Sequence, residues 1–241
     1  MTILTYEISS LYISEGITGM STAKDMASSI YEDIRAGILD LTLVPGSPIS
    51  EGELCERYEA SRTPVRTALH RLADQNLIEL LPYQQSIVSY IDLKAVKEFI
   101  YARVAIETNV IRDFIRLDDP LLVEDVSHLV RKQEIILEED SFSPQDFYEL
   151  DSGMHRLWFD AVKKSALWRL FSSSTDYTRI RILDIKEDKD YRSIVDDHLE
   201  LLEVIRKKDF AMIDPIVERH LNGGLKRIEA RMDERLAAYF K

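Results

Sequence analysis

From Ser21 onward the apolar residues Met26, Ile30, Ile34 and Ile38 recur every fourth position, which predicts a helix with one buried face. Leu43-Val44-Pro45-Gly46-Ser47-Pro48 then stops it with a turn. Ser50-Glu51-Gly52-Glu53 has the form of a capping box and opens a short helix through Tyr58. A second short helix follows, with Ser61 as a hydroxyl cap, Pro64 in the first turn, and Val65, Leu69 and Leu72 on one face. After Asp74-Gln75-Asn76 the period changes. Leu77 to Leu81 reads as a strand, Pro82-Tyr83-Gln84-Gln85 as a turn and Ser86 to Tyr90 as a β-branched return strand. Two short helices backed by a hairpin form a winged helix-turn-helix pattern.

Beyond about Asp92 the chain carries long helical patterns with few Gly or Pro. Helices are expected near 92–116, 120–139, 144–162, 165–185, 190–207 and 209–235. The predicted fold is therefore mainly α. A winged helix-turn-helix over 21–91, with its small β-hairpin, precedes an all-α bundle over 92–241 that has room for an internal pocket. Residues 1–20 show weak periodicity and are taken as an N-terminal extension, with Met20 as an alternative start. There is no internal repeat.

Charge changes this picture locally. The 241-residue chain has 31 Lys plus Arg against 43 Asp plus Glu, a formal net charge of −12, which argues against indiscriminate binding to nucleic acid or membrane. Yet residues 61–72 hold Arg62, Arg66 and Arg71 and no carboxylate. That helix is either an ordinary solvated face or one that asks for an anionic partner. The single cysteine, Cys55, excludes an internal disulfide and a Cys-based zinc site and fits a reducing, cytoplasmic setting. No segment has the run of uncharged apolar residues of a signal peptide or a membrane span.

Residues 30–90 resemble the winged helix-turn-helix of the GntR family of bacterial transcription regulators. Pro45-Gly46, Ile49-Ser50-Glu51 with Leu54, and Ser61-Arg62-Thr63-Pro64-Val65-Arg66 with Ala68-Leu69 and Arg71-Leu72 carry the likeness. The resemblance implies that Ser61, Arg62 and Arg66 touch DNA while the wing tip enters the minor groove. The candidate DNA-binding set is Ser50, Ser61, Arg62, Thr63, Arg66, Arg71, Tyr83, Gln84 and Gln85. Two departures stand out. Gly52 occupies a position where many members carry Arg, and the Tyr83-Gln84-Gln85 wing tip lacks the glycine common in the family.

Four of the five histidines fall in the helical half, and three of them go with a patterned carboxylate. Asp151 and His155 stand at i and i+4 on one helical face, and His198 and His220 fall on the last two long helices. Their spacing suits a surface ion pair as well as a divalent metal site. This half resembles the all-α effector domain of the FadR-type branch, called FCD, whose metal-binding members place an Asp-x-x-x-His pair before two further histidines. The resemblance implies that Asp151, His155, His198 and His220 hold a divalent metal, zinc first, with nickel or manganese as alternatives. Arg103, in the segment Arg103-Val104-Ala105-Ile106-Glu107, either enters the cavity to meet a ligand carboxylate or pairs with Glu107. Tyr177, Arg179 and Arg181 are further effector-binding candidates. His70 and His128 are taken as structural, and Trp158, Trp168, Phe159 and Phe171 as core.

The expected function is a ligand-responsive repressor, a homodimer on a palindromic double-stranded operator, that senses a small carboxylate such as a sugar acid. Two alternatives stay open: a metal-dependent enzyme and a pure metal sensor. No phosphate-binding Gly loop, nucleophile elbow or His-Glu-x-x-His motif is present.

Overall fold

The computed structural model describes residues 23–81, 84–138, 143–187 and 191–241. The expected extension over 1–20 and Tyr83 of the wing tip lie outside these residues.

Helix α1 (Ala23–Leu39) buries Ile30, Ile34 and Ile38, the face that the spacing marked. Strand β1 (Pro48–Ile49) leads into α2 (Glu51–Arg57), where the Ser50 hydroxyl accepts the Glu53 amide at 3.4 Å. Helix α3 (Arg62–Asp74) follows, and Val65, Leu69 and Leu72 sink into a core shared with Ile30, Ile34 and Ile38. Ser61 is its N-cap residue, but its hydroxyl makes no capping bond, so the expected cap chemistry is absent there. Strands β2 (Ile78–Glu79) and β3 (Ser86–Val88) form the wing.

The hairpin expected from the sequence is in fact three-stranded, in the antiparallel order β1-β3-β2, with Pro48 opposite Ile87 and Ile78 opposite Val88. Gly46 permits this. Its φ is +79°, and a Cβ there would stand 2.9 Å from the Tyr90 hydroxyl, so any other residue would be strained in its backbone and would crowd the Tyr90 ring.

The helical half comprises α4 (Leu93–Leu117), α5 (Pro120–Glu138), α6 (Pro144–Ala161), α7 (Ser165–Ser172), α8 (Thr175–Glu187), α9 (Arg192–Lys207), α10 (Ile213–Ala230) and the short α11 (Glu234–Ala237). One helix expected over 165–185 is two. Ser173 bonds back to the Leu170 carbonyl, and the Ser174 hydroxyl takes the Tyr177 amide, so the serines close one helix and cap the next. The last long helix is also shorter than the expected 209–235. It starts at Ile213 and ends at Ala230, and Asp233 caps α11 through the Leu236 amide.

Val110, Ile111, Phe114, Trp158, Phe159, Leu201 and Leu221 belong to the main core between these helices. Among the described residues, no helix is long and apolar enough to cross a membrane.

The passage between the halves is held on two sides. Arg179 on α8 has no exposed surface, and its guanidinium donates to the carbonyls of Ser89 (2.6 Å) and Tyr90 (3.4 Å) and to the Asp176 carboxylate. Asp176 in turn accepts the Asp92 amide at 3.2 Å. Opposite, Ile91 bridges to Phe240 in the C-terminal segment, with its amide on the Tyr239 carbonyl at 2.9 Å. Lys186 adds a bond to the Asp40 carbonyl at the end of α1.

Candidate metal centre and nucleic-acid interface

In the helical half, α6, α9 and α10 bring Asp151, His155, His198 and His220 together, all buried, with one donor atom from each within 4.8 Å of the others. The Nε2 atoms of His155 and His198 lie 3.1 and 3.3 Å from His220 Nε2, and Asp151 Oδ1 lies 3.4 Å from His198 Nε2. Nitrogen and oxygen ligands about 2.0–2.2 Å from zinc stand roughly 3.3–3.6 Å apart across a tetrahedral edge, so two of these separations match a shared ion and the His155–His220 one is slightly short of it. The fourth, His155 Nε2 to Asp151 Oδ1, is longer at 4.0 Å.

Asp151 Oδ1 supplies an independent sign. It is buried and accepts no hydrogen bond, which is costly for a carboxylate unless a cation takes its lone pair. The donor set therefore fits a divalent ion.

A second ring of side chains aims the imidazoles. His155 Nδ1 meets Glu107, His198 Nδ1 lies 2.6 Å from Gln133 Oε1, and His220 Nδ1 lies 3.6 Å from Asp197 Oδ2. With Nε2 facing the centre, the Nδ1 atoms of His155 and His198 carry the proton and donate it outward, which fixes tautomer and ring orientation, while the Asp197 carboxylate faces His220 Nδ1 at longer range. Sequence reading missed Glu107, Gln133 and Asp197 in this role.

The electrostatics follow from burial set against charge. Burial alone would raise the Asp151 carboxyl, but Arg181 and the three histidines outweigh it and hold the group well below the carboxylate range. Glu107 is likewise pushed up by burial, yet Arg103 and then His155 bring it to about 2. Burial and the neighbouring His220 keep His198 neutral far below the usual imidazole range, and burial lowers His220.

Arg103 is buried at the wall of a small cavity. It pairs with Glu107 at 2.8 Å and donates to the Tyr177 hydroxyl at 2.7 Å while lining a cavity of about 20 Å³ with Asp151, Trp168, Tyr177 and Arg181. Arg181 forms an ion pair with Asp151 Oδ2 at 3.1 Å, but its Nη2 is buried without a well-aligned hydrogen bond. Arg179 departs from the expected group. It faces the inter-half passage rather than the cavity.

In the N-terminal half, a groove lies between α2, α3 and the wing, lined by Ser50, Arg66, Gln84 and Gln85 from the expected set, together with Gly52 and His70. Arg62 and Thr63 are exposed on the first turn of α3, beside Ser61. Arg66 is held by Glu51 at 2.7 Å, an exposed pair. Arg71 points elsewhere. It stacks over the Tyr31 ring at 3.8 Å and donates to Ser28 at 3.2 Å, fastening α3 to α1. His70, one turn beyond Arg66, is an exposed groove residue that sequence reading took as structural; its i, i+4 relation to Arg66 was the available signal.

An exposed helix and wing with exchangeable cations, joined to a helical domain with a buried donor cluster, define a two-part DNA-binding regulator. Residues 26–86 match the bacterial regulatory proteins of the gntR family, and residues 98–223 match the FCD domain. The chain belongs to the GntR family, in the group with an FCD domain. It is 25% identical over 205 residues to the HTH-type transcriptional repressor RspR of Escherichia coli K12, covering 85% of this chain and 89% of that protein. It is 24% identical over 230 residues to the gluconate operon transcriptional repressor of Bacillus subtilis 168, covering 91% and 90%. The fold is also that of McbR/YncC of E. coli, with a TM-score of 0.66 at 15% identity over 86% of this chain and 99% of that one. These relatives are transcription regulators, not enzymes, which sets the metal-enzyme alternative aside.

Proposed function

We propose that this chain is a repressor that binds a palindromic operator as a homodimer through α3 and the wing, and leaves it when a small carboxylate joins a divalent metal in the helical half. Zinc is the first candidate for Asp151, His155, His198 and His220; nickel or manganese would leave more coordination positions for a ligand. Sugar acids are the first ligands to test, since one relative is named for a gluconate operon.

The observation that carries the reading is the placement of α8. Tyr177 and Arg181 line the cavity, while Arg179 on the same helix grips the carbonyls of Ser89 and Tyr90. A ligand carboxylate taken by Arg103 and Arg181 would have to enlarge a space of about 20 Å³, roughly one water. It would therefore shift α8 and the passage to the DNA-binding half, favouring one arrangement of the heads over another. The metal would supply positive charge at the carboxylate's other edge.

The test is operator affinity by fluorescence anisotropy on the metal-loaded protein, using DNA from upstream of its own gene. Gluconate or a related acid should weaken binding at least tenfold, and Arg62→Ala and Arg66→Ala should each weaken it about 10- to 100-fold if they read bases bidentately. Affinity indifferent to every acid would defeat the effector reading. A second reading has one observation in its favour: four protein donors are gathered, enough to complete a tetrahedral zinc shell with no position left for a ligand. If chelation changes operator affinity and no acid does, the protein senses the metal itself.

A further inference from the structure

The inner cavity shares two lining residues, Tyr148 and Thr178, with a second space. Both residues also line a cleft of about 540 Å³ between the two halves of the molecule, walled by Arg35 and Leu39 of α1 and by Ile182 and Lys186 of α8. This volume is in the range of small-molecule sites, whereas the inner cavity holds little more than a water.

The two spaces on either side of these residues ask for the same chemistry. At the inner end, Arg181 Nη2 is ion-paired with Asp151 Oδ2 at 3.1 Å but lacks a well-aligned hydrogen bond, beside the orphaned Asp151 Oδ1. At the outer end, Arg35 is half-buried and makes no ion pair among the described residues, while Lys186 is already committed to the Asp40 carbonyl. Between them, Leu39, Ile182 and the Tyr148 ring give an apolar wall. Cation, apolar wall, cation is the complement of a molecule with a carboxylate at each end and an aliphatic body.

We propose that the effector is an elongated dicarboxylate whose inner carboxylate meets Arg181 and whose body runs past Tyr148 and Thr178 so that its outer carboxylate reaches Arg35. This rests on the effector reading of the inner site and narrows its ligand class. It also gives the ligand a direct hold on α1, the helix packed against the recognition helix α3. Occupancy would then bias the head by contact as well as through α8.

Calorimetric titration of the metal-loaded full chain with succinate, adipate, suberate and hexanoate tests it. Affinity should rise at least tenfold from succinate to suberate, and hexanoate should bind at least tenfold more weakly than adipate. Arg35→Ala, and separately Leu39→Trp to fill the cleft, should abolish the gain with length and leave succinate unchanged, which also reports that each variant is folded. Succinate binding with no gain along the series, or a gain indifferent to both substitutions, overturns the cleft and leaves the inner site standing. Binding of no acid, gluconate included, overturns both readings together.

Discussion

Arginine does opposite work in the two halves of this protein. In the DNA-binding half, Arg66 is 58% exposed and its partner Glu51 34%, and their pair is the kind that water and salt compete with readily. Such a pair holds the guanidinium in place, and a competing anion would displace its carboxylate at little cost. In the helical half, Arg181 and Asp151 are each 5% exposed, and Arg103 and Glu107 are 6% and 1%. Desolvating those ions is costly, so their partners cannot be removed singly without leaving a buried charge unpaired. A recognition surface needs cations that exchange partners; a sensing site needs cations already aimed, so that a ligand meets a fixed geometry.

Arg179 is the sharpest place to break this contrast, because it is a fully buried arginine that holds backbone carbonyls as well as the Asp176 carboxylate. Arg179→Met keeps the stem and removes every donor, leaving the Ser89 carbonyl buried without its 2.6 Å bond. Unsatisfied buried groups and a half-free Asp176 together should cost about 3 kcal/mol. The thermal transition of the helical half should fall and separate from that of the winged half. Operator affinity without effector should stay within a few-fold of the parent. A single unshifted transition by calorimetry would show that the latch contributes nothing.

Glu107 sharpens the comparison at the metal end. It accepts from Arg103 and orients His155, so Glu107→Gln keeps the shape and removes the charge that stabilises both. Loss of such an outer partner commonly lowers metal affinity about 10- to 100-fold. Competition with a chromophoric chelator should read that loss, and unchanged affinity would reduce Glu107 to a partner of Arg103 alone.

Local spacing explains what was legible in advance. Ile30, Ile34 and Ile38 sit one turn apart, as do Asp151 and His155, and neighbours along one helix announce themselves in a single sequence. Strand β1 did not, because its two residues, Pro48 and Ile49, are too few to show alternation, and their partners Ile87 and Ser86 lie far along the chain. Glu107, Gln133 and Asp197 were hidden for the same reason. The first two reach histidines 48 and 65 residues away, a pairing only the packed bundle creates. Arg179 was legible and was overlooked. Residues two apart on a helix point about 200° from one another, so Arg179 could not share the cavity with Tyr177 and Arg181.

The smallest expected effect tests the exposed side of the contrast, where a cation can be added rather than removed. Gly52 stands in the first turn of α2, in the same groove as Arg66 and His70, and a Cβ there would meet only the Ser50 hydroxyl at 3.7 Å. An arginine therefore fits. Replacing a helical glycine gains roughly 0.5–1 kcal/mol, while a cation at a helix N-terminus loses about 0.3–1 kcal/mol to the dipole, so Gly52→Arg should leave stability nearly unchanged. Its signature belongs to DNA binding. One added phosphate contact steepens the dependence of log affinity on log salt by about one, so the variant should bind the operator more tightly at low salt and converge on the parent as salt rises. Parallel salt plots for variant and parent would place residue 52 beyond phosphate reach, and the α2 edge of the groove would then face away from the DNA.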